Sequence, residues 1–299
     1  MKAFVTGATG FVGPYLCEHL RAAGDDVILS GDEHASFDVT DRDTVVRAFV
    51  DARPDVVYHL AAQSHVGRSW DDPGTTLRVN VEGTQHVLDA ARAAGAKRVL
   101  VVGSAEEYGR VEAIPVHEDA PLRPMSPYGT SKVAAGFVAL QAWLGTGLET
   151  IRVRTFNHTG PGQSTNFFVP GFAARIAAAE RDGTETLTAG SLDPVREMND
   201  VRDVVRAYRM LIEHGDPGEV YNVCRGEGVT VGDLAHKLLA QSTRKLAIET
   251  DPALVRAADI PILVGDPTKL HATIDWQPQY TLDQTLSDVL TSARTNLRT

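Results

Sequence analysis

Three closely spaced glycines near the start of the chain constrain its fold more than any other feature. Gly7, Gly10 and Gly13 follow the apolar run 3–6 and open a helical pattern that begins at Val12. In such a series the first glycine permits a tight turn, the second lets the backbone approach a pyrophosphate, and the third lets the helix pack close to the strand. The helix N-terminus then offers unpaired N–H groups and a positive dipole end to phosphates. The spacing predicts a strand, a turn and a helix that bind a dinucleotide, with contacts from Gly7, Thr9, Gly10, Phe11, Val12 and Gly13.

Short apolar runs alternate with helical patterns over the first half of the chain. The run 98–102 is almost unbroken in hydrophobicity, which is typical of a parallel strand covered on both faces. Strand–helix alternation at this spacing implies right-handed crossovers, so we expect an α/β fold with a doubly wound parallel sheet of the Rossmann type. The predicted strands are 3–6, 26–29, 56–60, 98–102 and 150–154, and the predicted helices are 12–23, 44–52, 84–94 and 127–144.

The residue pattern changes in the second half of the chain. Turn-forming residues follow Asn157, and helical patterns then recur at 169–180, 201–214, 231–241 and 282–296. We predict a dinucleotide-binding domain over 1–160, to which a later segment at about 195–225 returns. Residues 161–299 are expected to form mainly a smaller, mixed α/β lobe that binds the substrate.

The charge and composition exclude several classes of protein. The chain has 29 Lys and Arg against 39 Asp and Glu, a net charge of −10, so we expect no nucleic-acid partner. Its two cysteines, Cys17 and Cys224, cannot make a disulfide framework, and no Cys/His cluster suggests a metal. No apolar run is long enough to span a membrane, and a glycine at position 7 precedes any signal-peptide pattern. These features predict a cytoplasmic protein without a membrane contact.

The type of dinucleotide depends on the end of the second predicted strand. That strand ends Leu29-Ser30-Gly31-Asp32, with an acid but no arginine nearby. An acid there binds the ribose hydroxyls of NAD, whereas an arginine accommodates NADP. The position of Asp32 favours NAD slightly and leaves NADP open. Asp38 and Val39 could meet the adenine through a carboxylate and a backbone N–H, although Asp38 fits a turn or a helix cap equally well.

A proton-transfer group is predicted on the helix 127–144. Tyr128 and Lys132 are four residues apart and therefore share one helix face. A tyrosine with its ordinary pKa of about 10 is a poor acid or base at neutral pH, and we expect the lysine and a positive nicotinamide ring to lower that pKa. Ser104 closes a predicted strand at the carboxyl edge of the sheet, where its hydroxyl could hold a substrate carbonyl oxygen.

Together these motifs resemble those of the extended short-chain dehydrogenase/reductases that act on nucleotide sugars. The resemblance runs through 6–13, 59–62, 80–84, 128–132 and 154–157 and so covers essentially the whole chain. It implies that Ser104, Tyr128 and Lys132 are catalytic and that Asn157 contacts the substrate. It also implies that Leu60, Ala61, Ala62 and Asn80 line the cofactor, with Tyr128 and Lys132 touching it as well.

The segments 154–163, 221–224 and 256–266 are most similar to the branch of that family that uses GDP-mannose and its 4-keto-6-deoxy product. Within this branch, 103–109 resembles the reductases more than the dehydratases. Dehydratases tend to have Thr-Ser-Glu there; this chain has Ala105 in the middle position but keeps Glu106 as a possible acid/base. A C4 ketone reductase is therefore expected, with the 4,6-dehydratase as the first alternative. A 4-epimerase and a non-catalytic dinucleotide sensor are weaker ones.

The same resemblance predicts the substrate side of the site. A GDP-sugar has two phosphate charges, which Arg196 and Arg256 would receive, although each arginine could equally form a surface ion pair. Val169 is assigned to the guanine side. His65 and His158 could lie near the sugar or be held structurally. The alanine-rich helices 81–94 and 133–142 imply a homodimer with a four-helix interface, unless they only cover the sheet.

Overall fold

The computed structural model describes residues 1–30, 37–251 and 260–297. Its centre is a six-stranded parallel sheet with the strand order β10-β5-β4-β3-β1-β2. The strands of this sheet are β1 Lys2–Thr6, β2 Asp26–Leu29, β3 Val56–His59, β4 Arg98–Ser104, β5 Glu149–Thr155 and β10 Val220–Val223. The predicted doubly wound parallel sheet is confirmed.

Helices cover both faces of this sheet. On one face α1 packs against α8, and their apolar side chains share a core with Tyr58, Ile151 and Tyr221 of the strands. On the other face α2, α5 and α6 pack side by side over Phe4, Val57 and Val99. The helices are α1 Val12–Ala22, α2 Arg42–Ala52, α3 Val66–Asp71, α4 Pro73–Leu77, α5 Gly83–Ala93, α6 Pro127–Thr146, α7 Phe168–Asp182, α8 Val201–His214, α9 Val231–Leu239, α10 Thr268–Ile274 and α11 Leu282–Asn296.

A second, smaller core forms between α7, α9 and α11. Short strands surround it in three small sheets: β11-β8-β13, β12-β7 and β6-β9. These strands are β6 His158–Thr159, β7 Thr186–Ala189, β8 Val195–Arg196, β9 Asn199–Asp200, β11 Val229–Thr230, β12 Ala247–Thr250 and β13 Ile262–Leu263. Between the parts of this lobe the chain returns to the large sheet, because α8 packs on α1 and β10 pairs with β5.

The strand order places the site. The chain passes from β1 to β2 on one side and then crosses to β3 on the other, so the carboxyl ends of β1 and β3 border a crevice. Ligands of open α/β sheets bind at such a switch point. Next to it, β4 and β5 stay in register to their last residues, Ser104 and Thr155. The apolar run indicated β4 only to residue 102, and Ser104, predicted to close this strand, is its last residue at the carboxyl edge.

Candidate active site

The glycine turn after β1 fits tightly against the end of β3. Gly7 has a positive φ of 68°, and a Cβ placed there would lie 2.7 Å from the backbone nitrogen of Ala61. A Cβ at Gly13 would lie 2.2 Å from the carbonyl oxygen of Ala8. Gly10 closes the turn by donating its N–H to the Gly7 carbonyl at 3.0 Å. A side chain at Gly7 or Gly13 would therefore push the loop away from β3 or α1 away from β1.

The N-terminus of α1 suits a pyrophosphate. The capping residue, Phe11, gives no side-chain hydrogen bond to the first turn, and that turn holds no acidic residue. The first N–H groups of the helix therefore face the crevice without a side-chain acceptor from the cap, as anion binding at a helix N-terminus requires. The loop Thr6–Gly13 thus has the shape and the donors to hold a dinucleotide, and contact of its individual residues with a cofactor stays a prediction.

The adenine side is described only in part. Asp32 lies outside the described residues. One carboxylate oxygen of Asp38 accepts the N–H and the hydroxyl of Thr40, both at 2.8 Å, so this residue closes a turn. The Val39 side chain is buried against Gly83, and its carbonyl pairs with His86 Nδ1 at 3.0 Å. Contact of Asp38 or Val39 with an adenine stays a prediction.

Hydrogen bonds with Thr6 on one side and with Asn80 on the other fix the segment after β3. Ala61 donates its N–H to Thr6 Oγ1 at 3.2 Å. Asn80, buried in a π-helical turn over residues 78–82, accepts the Gln63 N–H at 2.8 Å and donates to the Gln63 carbonyl and to Ser131 Oγ. Because its amide is occupied in this way, Asn80 fixes the loop that carries Leu60, Ala61 and Ala62 to α6. Direct contact of these four residues with the cofactor remains a prediction.

Ser104, Tyr128 and Lys132 come together at the carboxyl edge of the sheet. Ser126 caps α6 by accepting the Gly129 N–H at 3.0 Å, which places Tyr128 in the first helical turn. The Ser104 side chain lies beside the Tyr128 phenol, near enough to affect its pKa. Lys132 lies one turn later, with its Nζ 5.9 Å from the Tyr128 ring centroid and 2.8 Å from the Val102 carbonyl that it hydrogen-bonds.

The electrostatics of this group differ from the expectation. Burial raises the pKa of Tyr128; the hydrogen bond from Ser104 opposes that rise, and the charges of Glu106 and Glu107 add to it. Burial also lowers the pKa of Lys132 to about 8, against the charge of Glu107. The prediction that the lysine lowers the pKa of Tyr128 is therefore wrong for the protein's own groups. Tyr128 is buried, with 8% of its surface exposed, and the Lys132 amine donates to a backbone carbonyl.

The two residues that separate the alternative reactions lie just after Ser104. Ala105 is buried in an apolar cluster with Tyr108 and Phe156, so this position offers no functional group to a substrate. Glu106 is partly exposed and donates its N–H to Ser104 Oγ at 3.2 Å. A carboxylate is thus present near the hydroxyl pair, as the dehydratase alternative requires.

The predicted substrate residues lie in different surroundings. Asn157 is exposed, and its carbonyl is fixed by the Asn199 N–H at 2.8 Å, which leaves its amide on the surface. Arg196 is partly buried on the central strand of the β11-β8-β13 sheet. The Val169 side chain lies in the core of the small lobe, so only its backbone could face a guanine. Arg256 lies outside the described residues.

The two histidines have structural contacts. His158 stacks on Phe11 with ring centroids 6.0 Å apart, and its Nδ1 pairs with the Phe156 carbonyl at 3.1 Å. His65 caps α3 by accepting the Arg68 N–H at 3.0 Å. These contacts agree with the structural alternative for both residues.

Sequence reasoning missed Glu107 and the role of Arg154. Glu107 accepts the Ser104 N–H at 2.9 Å and the Arg154 Nε–H at 2.9 Å, and both side chains are buried. A signal was available, since Arg154 stands in an apolar strand and a buried guanidinium needs an acceptor. Which of two neighbouring glutamates supplies that acceptor depends on the turn after Ser104, which the sequence did not predict.

Over residues 1–30, 37–251 and 260–297, no three His, Cys, Asp or Glu side chains are grouped as metal ligands. Among the helices described, none is long and apolar enough to cross a membrane.

The chain is similar to known nucleotide-sugar dehydratases and reductases over almost its whole length. The family model described as GDP-mannose 4,6 dehydratase matches residues 4–289. The GDP-6-deoxy-D-mannose reductase of Pseudomonas aeruginosa is 36% identical over 302 residues, covering 99% of this chain and 98% of that protein. A GDP-mannose 4,6-dehydratase of Vibrio cholerae is 27% identical, covering 97% of this chain and 92% of its own length.

Solved structures show the same fold with a nicotinamide cofactor. The structure of RMD from Pseudomonas aeruginosa complexed with NADPH has a TM-score of 0.91 and 34% identity, covering 98% of this chain and 99% of that one. The UDP-glucose 4-epimerase of Thermus thermophilus complexed with NAD has a TM-score of 0.88 and 29% identity, covering 98% of this chain and 99% of that one.

Proposed function

This chain belongs to the GDP-mannose 4,6 dehydratase family, within the extended short-chain dehydrogenase/reductases, and on that premise we propose that it reduces the C4 ketone of a GDP-4-keto-6-deoxyhexose. The product would be a GDP-6-deoxy-D-mannose, or rhamnose-type, sugar nucleotide. The observation that carries the proposal is that Ser104, Tyr128 and Lys132 come together at the carboxyl edge of the sheet, next to the glycine turn. The arrangement supplies a general acid that can protonate the oxygen of a carbonyl as it is reduced.

The proton leaves from Tyr128. Its phenol would protonate the C4 oxygen as that oxygen gains charge, while the Ser104 hydroxyl donates a hydrogen bond to the same atom. The bound nicotinamide supplies the hydride to C4. Lys132, one helical turn after Tyr128, would hold the nicotinamide ribose.

The cofactor would lie along the glycine turn. Its pyrophosphate fits the uncapped N-terminus of α1, and Gly7 and Gly13 allow the backbone to approach it. The acid at Asp32 favours NAD, whereas the Pseudomonas aeruginosa structure holds NADPH. Initial rates with NADH and with NADPH at equal concentration decide between the two.

The sugar nucleotide would lie between the sheet and the small lobe. We assign its sugar to Asn157 and Ser104, its diphosphate to Arg196 and Arg256, and its guanine to the backbone at Val169. This assignment uses the position of Asn157 on the surface after β5 and of Arg196 on the small sheet.

Two incubations test the reaction. One holds GDP-mannose with NAD⁺ or NADP⁺, and the other holds the GDP-4-keto-6-deoxy sugar with NADH or NADPH. We expect loss of reduced cofactor and a new C4 hydroxyl, identified by mass and NMR, only in the second. Conversion of GDP-mannose to a 4-keto-6-deoxy product in the first tube would show a dehydratase instead.

The dehydratase is the second candidate because Glu106 is retained beside Ser104. Elimination across C5 and C6 needs an acid/base in addition to Tyr128, and Glu106 is the carboxylate for that role. Replacing Glu106 by Gln is expected to reduce a ketone reductase only a few-fold. A dehydratase would lose the 10²–10⁴-fold that a general acid/base typically contributes, as an order of magnitude.

A homodimer is part of the proposal. The outer face of α6 exposes Phe137 and Leu144, which are 56% and 74% accessible, and α5 lies beside α6. Exposed apolar side chains seven residues apart form a stripe along one helix face. Pairing α5 and α6 of two copies about a two-fold axis would bury this stripe in a four-helix interface.

A further inference from the structure

Glu107 occupies an unusual place for a carboxylate, directly behind the catalytic serine. Its Oε1 accepts the Ser104 N–H at 2.9 Å, and Ser104 in turn caps the single turn of 3₁₀-helix over 105–107. Its Oε2 accepts the Arg154 Nε–H at 2.9 Å, and the two side chains are only 4% and 7% exposed. A buried charge of this kind is costly unless it is fully paired, so a carboxylate at this position indicates a role other than solubility.

The neighbouring backbone is shaped around that carboxylate. A Cβ at Gly103 would lie 2.2 Å from Glu107 Oε1 and 2.7 Å from the Val153 carbonyl. Glycine at 103 therefore leaves the space in which the carboxylate reaches the Ser104 N–H. Any side chain there would displace Glu107 from the serine.

Arg154 fixes the other end of the pair. Its Nη1 donates to the Tyr108 hydroxyl at 2.9 Å and to the Glu118 carbonyl at 2.8 Å, and the Tyr108 hydroxyl donates to Asn222 at 2.7 Å. The guanidinium also lies 4.8 Å from the Tyr108 ring centroid. Glu107 is thus connected to β5 and β10 and cannot move independently of the sheet.

The carboxylate faces the catalytic lysine as well. Glu107, Lys132 and Arg154 line one cavity between β4, β5 and α6. We propose, on the basis of the reductase function, that Glu107 is a positioning residue for the reaction. Its carboxylate holds the Ser104 backbone so that the hydroxyl meets Tyr128, and its negative charge balances the Lys132 ammonium.

The pH behaviour follows from the groups around Lys132. These are Glu106 and Glu107 after β4, Tyr128 on α6, His59 on β3, and Arg152 and Arg154 on β5. Burial lowers the pKa of Lys132 to about 8, and the charge of Glu107 acts in the opposite direction. Without that charge, the ammonium form would be lost at a lower pH.

The test is Glu107→Gln in the full chain. The amide keeps the shape but can accept from only one partner, because its NH₂ end must face either the Ser104 N–H or the Arg154 guanidinium. We expect kcat with the keto sugar to fall at least tenfold, with both KM values within threefold of wild type. The alkaline limb of the pH profile should move to lower pH.

Asp203→Asn is the matched control. Asp203 is equally buried, pairs with Arg206 at 2.9 Å and accepts the Gln279 and Tyr280 N–H groups, but these contacts involve no residue of the site. It should lose stability without a change in kcat or in the pH profile. A Glu107→Gln variant that matches Asp203→Asn in every kinetic measurement would overturn the proposal.

A second readout needs no substrate. The chain has six lysines, so ¹³Cε-lysine spectra are simple, and Lys132→Arg identifies the signal of Lys132. This signal should titrate at lower pH in Glu107→Gln than in wild type, and unchanged titration would refute the electrostatic role even if the keto sugar proves not to be the substrate. If Glu107→Gln does not fold, Arg154→Gln is the second variant. It removes the cation that pairs with Glu107 and should raise the pKa of Lys132, and an unchanged pKa of Lys132 in this variant would also contradict the proposal.

Discussion

Tyr128 is buried, and its hydroxyl lies beside the Ser104 side chain. The proposed proton transfer depends on that hydroxyl, whereas the aromatic ring only fills space. We therefore expect Tyr128→Phe to lower kcat by about 10²–10⁴-fold, the range for loss of a general acid. The cofactor Kd, measured by quenching of tryptophan fluorescence, should stay within a few-fold of wild type. Full activity in the variant would contradict the assignment.

Glu197 makes stability depend on pH. Burial raises its pKa to about 7, against hydrogen bonds from the backbone N–H groups of Gly265 and Arg225. The folded state therefore holds the proton more tightly than the unfolded chain, whose ordinary value is 4.5. The contribution of Glu197 to the free energy of unfolding is therefore lost as the pH rises from 4.5 to about 7. At 1.36 kcal/mol per pKa unit, this contribution is up to about 3 kcal/mol.

Glu197→Gln, which cannot ionise, isolates this contribution. The free energies of unfolding of wild type and variant are measured by urea titration at pH 5 and pH 8. Relative to the variant, wild type should be less stable at pH 8 than at pH 5. A difference that is the same at both pH values would show that Glu197 does not titrate in this range.

Single residues were predictable where local chemistry decides their role. The glycine turn and the Tyr128–Lys132 pair follow from spacing along one strand or one helix. Glu107 could not be predicted, because its partner Arg154 is 47 positions away and meets it only when β4 and β5 pair. The direction of the Tyr128 pKa was wrong for a related reason, since burial is a property of the folded molecule.

At the scale of elements, the contact between α1 and β1 is the most sensitive. A Cβ at Gly13 would lie 2.2 Å from the Ala8 carbonyl oxygen, which is backbone and cannot rotate away. Gly13→Ala must therefore shift α1, and with it the N–H groups proposed to hold the pyrophosphate. We expect at least tenfold weaker cofactor binding by calorimetry and a lower Tm.

Gly74→Ala is the control for this change. A Cβ there meets only an Asp72 carboxylate oxygen at 3.8 Å, an ordinary contact, on the exposed surface of α4. Its cofactor affinity should equal that of wild type. Equal affinity in Gly13→Ala would mean that the helix N-terminus is not the phosphate site.

Most long elements followed from periodicity, and the short ones did not. The predicted strands of the large sheet and the helices α1, α2, α5 to α9 and α11 are present, with ends shifted by a few residues. The strands β8, β11 and β13 have two residues each and pair across 33 or more positions. Such strands exist because the surrounding helices bring them together, so no local pattern indicates them. Asp32 and Arg256 lie outside the described residues.

For the whole molecule, the apolar stripe on α6 predicts assembly. We expect Phe137→Glu to place a charge in the four-helix interface and to convert a dimer into a monomer in sedimentation velocity experiments. Val50→Glu is the matched control, because Val50 is similarly exposed, at 52%, but lies on α2. A wild-type protein that sediments as a monomer at micromolar concentration would refute this interface.

The return of the chain to the large sheet has a consequence for how such a protein can be divided. Cutting after residue 160 would remove both α8 and β10, baring the apolar side of α1 and turning β5 into an open edge. Exposed edges and apolar faces of this kind promote aggregation. Residues 1–160 therefore cannot be moved as an independent unit: gene fusions, split versions and domain exchanges must keep residues 201–223 together with them, or both parts will misfold.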